Sequence, residues 1–341
     1  MPESAHRPLR IAHISDLHVL DLKGVSWRRF LNKRMSGAVN LAGMRRNAHP
    51  VHVAEQLADR LAQDDIDHVI VTGDVTNLAL DAEFRRAREV IERIGPPSRV
   101  TLIPGNHDMY TRGALKHRRF EHWFAEYLVD DDSHQIPRDK GRLHYPFVRN
   151  IAPHVRLYGL SSAVPTLPFL AYGHVGKPQF QRLLELVKEE PPEVKVRIVL
   201  VHHNLHQRLG AAEYVASLVD RKAFSAAMRS IKASAVLHGH THHPHQGHLP
   251  ERLEAKLDSQ LDQQIEASLQ ETVGAIPVIG CGSSTWHRAG REFARFNVIE
   301  VGARAIDAVH SMRFTGPETG FVEEHKDLLH KSLLPQGAIR L

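Results

Sequence analysis

Short apolar runs rich in valine and isoleucine alternate along the chain with longer segments whose apolar residues recur at helical spacing. The runs predict strands at residues 9–14, 68–72, 100–103, 155–160, 196–201, 233–237, 276–279, 293–301 and 306–314. The longer segments predict helices at residues 52–63, 81–94, 113–127, 179–189 and 221–231. Strands that alternate with helices in this way indicate an α/β fold.

Polar side chains follow five of the predicted strands, at the point where each strand ends. These clusters occupy residues 15–18, 73–74, 105–108, 202–204 and 238–242. Open α/β sheets bind their ligands outside the carboxyl ends of their strands, so we expect the five clusters to converge. Because a division between residues 16 and 242 would split this site, the sequence predicts one catalytic domain over residues 1–312 and a C-terminal extension over 313–341.

Composition narrows the class of protein and its surroundings. Of 341 residues, 42% are hydrophobic and 24% are charged, which is the balance of a globular chain. Cys281 is the single cysteine, so an internal disulfide and a cysteine zinc site are excluded and a reducing compartment is favoured. No signal-like segment and no apolar stretch of about 18 residues is visible, which predicts a cytoplasmic protein. The net charge of +5 suits an anionic substrate, nucleic acid or an anionic membrane equally.

The strand-end clusters contain carboxylate, imidazole and amide groups, which are typical ligands of Mn, Fe or Zn. Asp16 and His18 lie two residues apart, so on an extended backbone both side chains point to the same side, and His238 and His240 repeat this spacing. Asp74 follows a glycine at a strand end, where its carboxylate could bridge two ions. Two ions about 3.5–4 Å apart can clamp a phosphoryl group and supply a bridging hydroxide for in-line attack. The clusters therefore predict a dinuclear-metal phosphoester hydrolase.

The ordered set of Asp-x-His, Gly-Asp, Gly-Asn-His-Asp, a strand-end histidine and Gly-His-x-His resembles the calcineurin-like metallophosphoesterases over residues 9–300. The resemblance implies a four-layer α-β-β-α sandwich, with two mixed sheets facing each other and helices outside. It also implies one ion bound by Asp16, His18 and His240, and a second bound by Asn106, His202 and His238, with Asp74 bridging them. His202 is preferred to His203 as a ligand because the strand pattern ends at Val201.

The resemblance gives His107 a catalytic role beside Asp74, contacting the phosphate and helping to protonate the leaving oxygen. Family protein phosphatases carry an aspartate, an arginine and a second arginine where this chain has Asn77, Leu78 and Pro104. These departures argue against a phosphoserine or phosphothreonine phosphatase and leave His107 without its usual carboxylate partner. Residues 75–77 instead resemble the bacterial cyclic-nucleotide phosphodiesterase branch, which implies a phosphodiester or pyrophosphate substrate.

Residues 22–46 contain seven basic residues, no acidic residue, and apolar residues at helical spacing. A basic amphipathic helix is typical of membrane-surface binding, and three interpretations remain open. The helix could pack on the domain, contact a nucleotide-like substrate, or bind the inner membrane face and present a lipid-linked one. The last resembles family members that cleave UDP-diacylglucosamine. The candidate substrate-binding residues are Arg28, Arg29, Lys33 and Arg34.

Two further segments have open roles. Residues 111–150 could form a cap over the metals or belong to the scaffold. Residues 249–274 carry an apolar residue every four positions over 249–273, which predicts a helical insertion that packs on the surface, forms an oligomer contact or acts as a mobile arm. His242 and the histidines that follow it are expected to be exposed or to support the ligands.

Two other functional classes compete with the hydrolase. One is a non-catalytic binding or scaffold protein on the same fold, which the complete ligand set and His107 argue against. The other is a nucleic-acid phosphodiesterase. It is disfavoured because no separate nucleic-acid-binding module is visible and only 6% of the residues are aromatic.

Overall fold

The computed structural model describes residues 7–22, 49–63, 65–109, 111–133, 138–139, 142–143, 145–167, 170–205, 216–249, 275–287 and 293–329. The predicted basic segment 22–46 and the predicted insertion 249–274 lie outside the described residues, apart from Leu22 and Leu249. Among the described residues, no helix is both long and apolar enough to cross a membrane.

The strands are β1 (Leu9–Ile14), β2 (His68–Val71), β3 (Val100–Leu102), β4 (Arg138–Asp139), β5 (Arg142–Leu143), β6 (Phe147–Ala152), β7 (Val155–Gly159), β8 (Val196–Leu200), β9 (Ala235–His238), β10 (His245–His248), β11 (Pro277–Gly280), β12 (Arg295–Val301), β13 (Ile306–Gly316) and β14 (Gly320–Leu328). The α-helices are α1 (Val51–Leu61), α2 (Asp81–Ile94), α3 (Arg112–Lys116), α4 (Arg119–Trp123), α5 (Lys177–Lys188) and α6 (Arg221–Ser230), and a 3-10 helix covers Ala125–Leu128.

Two six-stranded mixed sheets form the centre of the fold. The first has the order β14-β13-β12-β1-β2-β3, in which β1, β2 and β3 are parallel and the other three strands are antiparallel. The second has the order β10-β11-β9-β8-β7-β6, with a parallel centre from β11 to β7. This arrangement, with helices, confirms the predicted α/β sandwich.

Alternation along the strands explains how the second sheet is buried on both faces. In β8, Ile198 and Leu200 belong to the core that includes β1 and β2 of the first sheet, whereas Val199 joins a second core with Phe180 of α5 and Phe224 of α6. The strand therefore has one face toward the other sheet and one toward helices, which is why apolar residues occupy both faces over Ile198, Val199 and Leu200.

The helix predicted at residues 113–127 is divided into α3, α4 and the 3-10 helix. Arg118, between the first two, has a left-handed φ of 47°, which interrupts the helical ladder. Phe120, Phe124 and Tyr127 of this segment are buried in the core. These three side chains attach the segment to the core, and the choice between cap and scaffold for residues 111–150 stays a prediction.

Most of the described part of the predicted C-terminal extension, residues 313–341, is in strands. Residues 313–328 lie in β13 and β14, which pair as an antiparallel hairpin at the edge of the first sheet. The ring centroid of Phe321 in this hairpin lies 5.1 Å from that of Phe296 in β12 and 5.2 Å from that of Phe314. This aromatic contact attaches the hairpin to the catalytic domain's core.

Candidate metal centre

Five strand ends meet at one edge of the sandwich. The connection after β1 runs beside the connection after β2, because the backbone N–H groups of Asp16 and His18 donate to the carbonyl groups of Gly73 and Asp74 at 3.0 and 2.9 Å. On the second sheet, the N–H of Gly239 after β9 donates to the carbonyl of His202 after β8 at 3.1 Å. These main-chain bonds fix the connections that carry the candidate ligands.

The first ligand cluster consists of Asp16, His18 and His242, which are buried or half-buried. His242 Nε2 lies 3.4 Å from Asp16 Oδ1 and 2.9 Å from His18 Nε2. Donor atoms that share one ion at about 2.1 Å from it are separated by roughly 3–3.5 Å, which is the spacing seen here. The cluster therefore has the spacing of ligands around a single cation.

The second ligand cluster consists of Asn106, His202 and His240. The amide oxygen of Asn106 lies 3.0 Å from His202 Nε2 and 3.0 Å from His240 Nδ1. His202 Nδ1 faces the carbonyl of Thr72 at 2.7 Å, which directs Nε2 into the centre. The three groups thus offer one oxygen and two nitrogen donors to a second ion.

Asp74 lies between the two clusters. Its Oδ2 is 3.8 Å from His18 Nε2 and 3.4 Å from His202 Nε2, so a single oxygen faces both sides. The other oxygen, Oδ1, accepts a hydrogen bond from the backbone N–H of His107 at 2.7 Å. Gly105 leaves the room that this carboxylate occupies, since an added Cβ there would lie 2.7 Å from Asp74 Cγ.

The structure does not bring His238 into either cluster, and His242 stands in its place. The His238 ring packs against β11, where a Cβ on Gly280 would lie 2.7 Å from His238 Cε1. His240 also joins the second cluster, opposite to the assignment made from sequence. A signal for this arrangement exists in the sequence: in Gly239-His240-Thr241-His242 the glycine precedes the first histidine, as the family pattern Gly-His-x-His requires.

The physical reason is the backbone of these connections, which is not extended. Left-handed φ angles occur at several ligand residues: Asp16 53°, His18 44°, Asp74 53°, His240 71° and His242 58°. Such angles cost about 1–3 kcal/mol each at residues other than glycine and concentrate at functional sites. Because alternation of side chains holds only in extended backbone, it could not place His238 and His240 correctly.

Burial and neighbouring charges shift the pKa values of the candidate ligands, in different directions for different groups. Burial acts to raise the pKa of Asp74, but the neighbouring His202 and His107 hold it well below the usual value. Burial and the nearby His107 lower the pKa of His18 well below its ordinary value, and burial and His202 lower that of His240 to about 4. Against burial, Asp74 raises the pKa of His202 to about 9.

Buried carboxylates beside amide and imidazole groups, with donor atoms converging from two sides on one shared oxygen, fit two divalent cations. A buried carboxylate that lacks a compensating charge is costly, and a cation on each side of Asp74 would supply it. The donor set contains oxygen and nitrogen but no thiolate, in agreement with hard or borderline ions.

His107 lies at the edge of this centre. Its ring is 4.7 Å from that of His18, in an edge-to-face arrangement. Nδ1 donates to the backbone carbonyl of Asn77 at 2.6 Å, so a main-chain oxygen takes the place of the carboxylate partner that the sequence lacks. This bond fixes the orientation of the ring and the nitrogen that carries its proton in the neutral form.

Asp108 holds together the connections that follow β2 and β3. Its carboxylate accepts from the backbone N–H groups of Thr76 and Gly105, both at 2.9 Å. Burial and the charge of Asp74 raise its pKa to about 7. Asp108 therefore ties the connection after β2 to the one after β3, a structural role behind Asp74 and His107.

Sequence reasoning missed the connection after β11. The hydroxyl groups of Ser283 and Thr285 donate to the carbonyls of Asp16 and Leu17, each at 2.7 Å, and so hold the first ligand connection. Trp286 follows, with its ring 5.1 Å from that of His242 and 5.3 Å from that of His49. The signal in the sequence is a polar run, residues 283–285, directly after a predicted strand.

The predicted substrate-binding residues Arg28, Arg29, Lys33 and Arg34 lie outside the described residues. A cavity of about 510 Å³ lies beside the described centre. Leu17 and Val19 contribute to its wall, His49 and Thr285 border it, and Arg85 and Arg86 of α2 face it. His49 joins this cavity to the centre, because its ring is 5.1 Å from that of His18.

Two facing mixed sheets with hard ligands converging at the strand ends define a metal-dependent phosphoesterase class of site. The calcineurin-like phosphoesterase family model matches residues 9–244, and the chain belongs to this family. The family normally binds two divalent metals and acts on phosphoesters. No curated protein matches the chain in sequence.

Solved structures show the same fold. A purple acid phosphatase from yellow lupin (Lupinus luteus) seeds aligns with a TM-score of 0.58 and 12% identity over 93% of this chain, which spans 53% of the lupin chain. A dimetal phosphatase from Danio rerio aligns with a TM-score of 0.53 and 13% identity, covering 95% of this chain and 99% of the other. At such identities the likeness establishes the fold alone.

Proposed function

We propose that this protein is a dinuclear-metal hydrolase of phosphodiesters or pyrophosphates. The observation that carries the proposal is the position of Asp74, whose Oδ2 faces both His18 and His202 within 3.8 Å. Two ligand clusters that share one carboxylate oxygen match the need for two adjacent ions at a phosphoryl group.

The first ion would be held by Asp16, His18, His242 and Asp74, and the second by Asn106, His202, His240 and Asp74. When bound, such a pair neutralises phosphoryl charge and activates water for attack on phosphorus. The mixed set of carboxylate, amide and imidazole donors suits Mn, Fe or Zn, and we favour Mn or Fe. Activity lost on chelation and regained with Mn, measured on bis-p-nitrophenyl phosphate, supports the proposal; activity indifferent to chelation refutes it.

His107 contributes the acid of the reaction. Because Nδ1 is bound to the carbonyl of Asn77, the ring presents Nε2 to the centre, and a proton there can be given to the leaving oxygen. A carbonyl accepts but cannot donate, so it fixes the tautomer without adding a titrating group.

Replacing His107 by glutamine should lower kcat by about 10²–10⁴-fold for a diester with an alkyl leaving group, the usual contribution of a general acid. The loss should be far smaller for a p-nitrophenyl ester, since p-nitrophenolate leaves without protonation. Steady-state kinetics on both substrates measure the difference. Equal losses on the two esters would show that His107 acts in some other way.

The cavity beside His49 supports a diester or pyrophosphate over a monoester. A second substituent on phosphorus needs space next to the metals, and about 510 Å³ is within the range of ligand pockets. Arg86 is paired with Glu89 at 2.7 Å and with Glu55 at 3.2 Å. Arg85 forms no ion pair within the described part of the chain, so its guanidinium is available to an anionic group of the substrate.

Arg85→Ala should raise KM by about 3–30-fold for a substrate with a second phosphate, since one charge-assisted hydrogen bond contributes about 1–2 kcal/mol at an exposed position. The KM for bis-p-nitrophenyl phosphate, which has no second anionic group, should change little. Arg93→Ala removes the same charge from the other end of α2 and is the matched control. A KM that rises equally for both variants would indicate a general charge effect.

The substrate class remains nucleotide-like or lipid-linked. The run 75–77 supports the cyclic-nucleotide phosphodiesterase branch, and the basic composition of residues 22–46 supports contact with a nucleotide or with the inner membrane face. A panel of cyclic nucleotides, UDP-diacylglucosamine and simple esters separates them, together with liposome co-sedimentation of the chain with and without residues 24–43. Binding to vesicles that is unaffected by this deletion would remove the membrane role.

A further inference from the structure

His203 is a fully buried histidine next to a candidate metal ligand, and no step of the reaction above uses it. Its ring lies 4.5 Å from the ring of His240 and 5.1 Å from that of His202, so it touches both imidazoles of the second ligand cluster.

Both ring nitrogens of His203 are engaged away from the metals. Nε2 lies 3.0 Å from the backbone carbonyl of Ala171, which can only accept, so Nε2 carries the proton. Nδ1 then accepts from the hydroxyl of Ser162 at 2.7 Å, and the same hydroxyl oxygen accepts from the backbone N–H of His203 at 3.3 Å. With both nitrogens occupied, His203 has no donor for an ion.

The segment between β7 and α5 is shaped to receive this ring. A Cβ on Gly173 would lie 2.9 Å from His203 Cε1, so a residue larger than glycine would collide with the ring. Gly173 is itself held, because its N–H donates to the carbonyl of Ser217 at 3.1 Å and its carbonyl accepts from Val219 at 2.9 Å. The ring is therefore anchored in a rigid pocket on three sides and presents its fourth side to His240.

His240 needs such support. Its left-handed φ of 71° is strained, and its backbone N–H is committed to Asp16 Oδ2 at 3.0 Å. Its imidazole must nevertheless keep Nδ1 beside Asn106 Oδ1. The anchored ring of His203 restricts the ring of His240 to the orientation in which its donor atom would face the second ion.

We propose that His203 is a positioning residue that, through Ser162, Ala171 and Gly173, fixes the ring of His240 and so sets the affinity for the second of two ions. The inference rests on the proposed dinuclear site. It assigns the segment between β7 and α5 a role in metal retention, although that segment supplies no ligand.

The test is a titration of metal-free protein with Co²⁺ or Mn²⁺, followed by d–d absorbance or calorimetry, in wild type, His203→Ala and Ser162→Ala. We expect His203→Ala to weaken one of the two binding events by about 10–100-fold, the usual effect of removing a group behind a ligand, and to leave the other within about threefold. Ser162→Ala should weaken the same event by a smaller factor, and it keeps the test decisive if His203→Ala does not fold.

His68→Ala is the matched control, because His68 is also a buried histidine bound to one hydroxyl, that of Thr101 at 2.8 Å, but lies in β2 away from the ligands. It should lower thermal stability and leave both metal affinities unchanged. If His203→Ala and Ser162→Ala behave like His68→Ala, or weaken both events equally, the proposal is overturned. Wild type that binds two ions but hydrolyses no phosphoester would refute only the proposed function, since the affinity comparison still decides the role of His203.

Discussion

Asp74→Asn should reduce kcat/KM for bis-p-nitrophenyl phosphate by at least about a thousandfold, because both ions would lose their shared anionic ligand. The asparagine oxygen has similar size but no charge, and Oδ2 is the oxygen that faces His18 and His202. The measurement is steady-state hydrolysis with excess Mn, together with the metal content of the purified protein. We expect the variant to retain fewer than two ions.

Asp130→Asn is the control for this change. Asp130 is also buried, and it accepts hydrogen bonds from the backbone N–H groups of Ser133 and Val148 at 2.9 Å, on the far side of the domain's helical segment. Its replacement should cost stability and leave the rate per folded molecule unchanged. If Asp74→Asn kept wild-type activity at saturating Mn, the dinuclear proposal would fail.

The second large expected effect is a difference in metal affinity between the variants His242→Ala and His238→Ala. His242→Ala removes a donor that lies 3.4 Å from Asp16 Oδ1, so it should lower the affinity for the first ion by more than the roughly 10–100-fold that loss of a supporting residue costs. His238→Ala should leave both metal affinities intact, since that ring packs against Gly280. Metal titration of the two metal-free variants measures this directly.

Thermal unfolding completes the comparison. His238 is fully buried, so its truncation leaves a cavity and should lower the unfolding temperature more than truncation of the half-buried His242. The opposite pattern, with an ion lost in His238→Ala and both kept in His242→Ala, would restore the assignment that alternation along β9 suggests.

Much of the fold could be predicted because its central strands are buried on both faces. Largely apolar runs such as 68–71 and 196–200 were predicted within one or two residues of their observed ends. The strands that were not predicted are β4, β5, β6, β10 and β14. β10 and β14 are edge strands with many polar residues, and edge strands need bury only part of their surface.

Like the fold, the candidate site could be predicted only in part from the sequence. The sequence by itself determined the ligand types and their order, because polar residues directly after apolar strands must lie at the carboxyl edge of a sheet. The sequence also excludes an internal disulfide and a cysteine zinc site, since Cys281 is the single cysteine.

The histidines that lie together in the two ligand clusters could be identified only from the three-dimensional arrangement. The left-handed backbone at His240 and His242 changes the side-chain direction that extended backbone would give, and no local sequence pattern predicts this conformation. The same holds for the carbonyl of Asn77 that orients His107 and for the pocket that holds His203. These contacts join residues 30 to 41 positions apart, and long-range packing sets them.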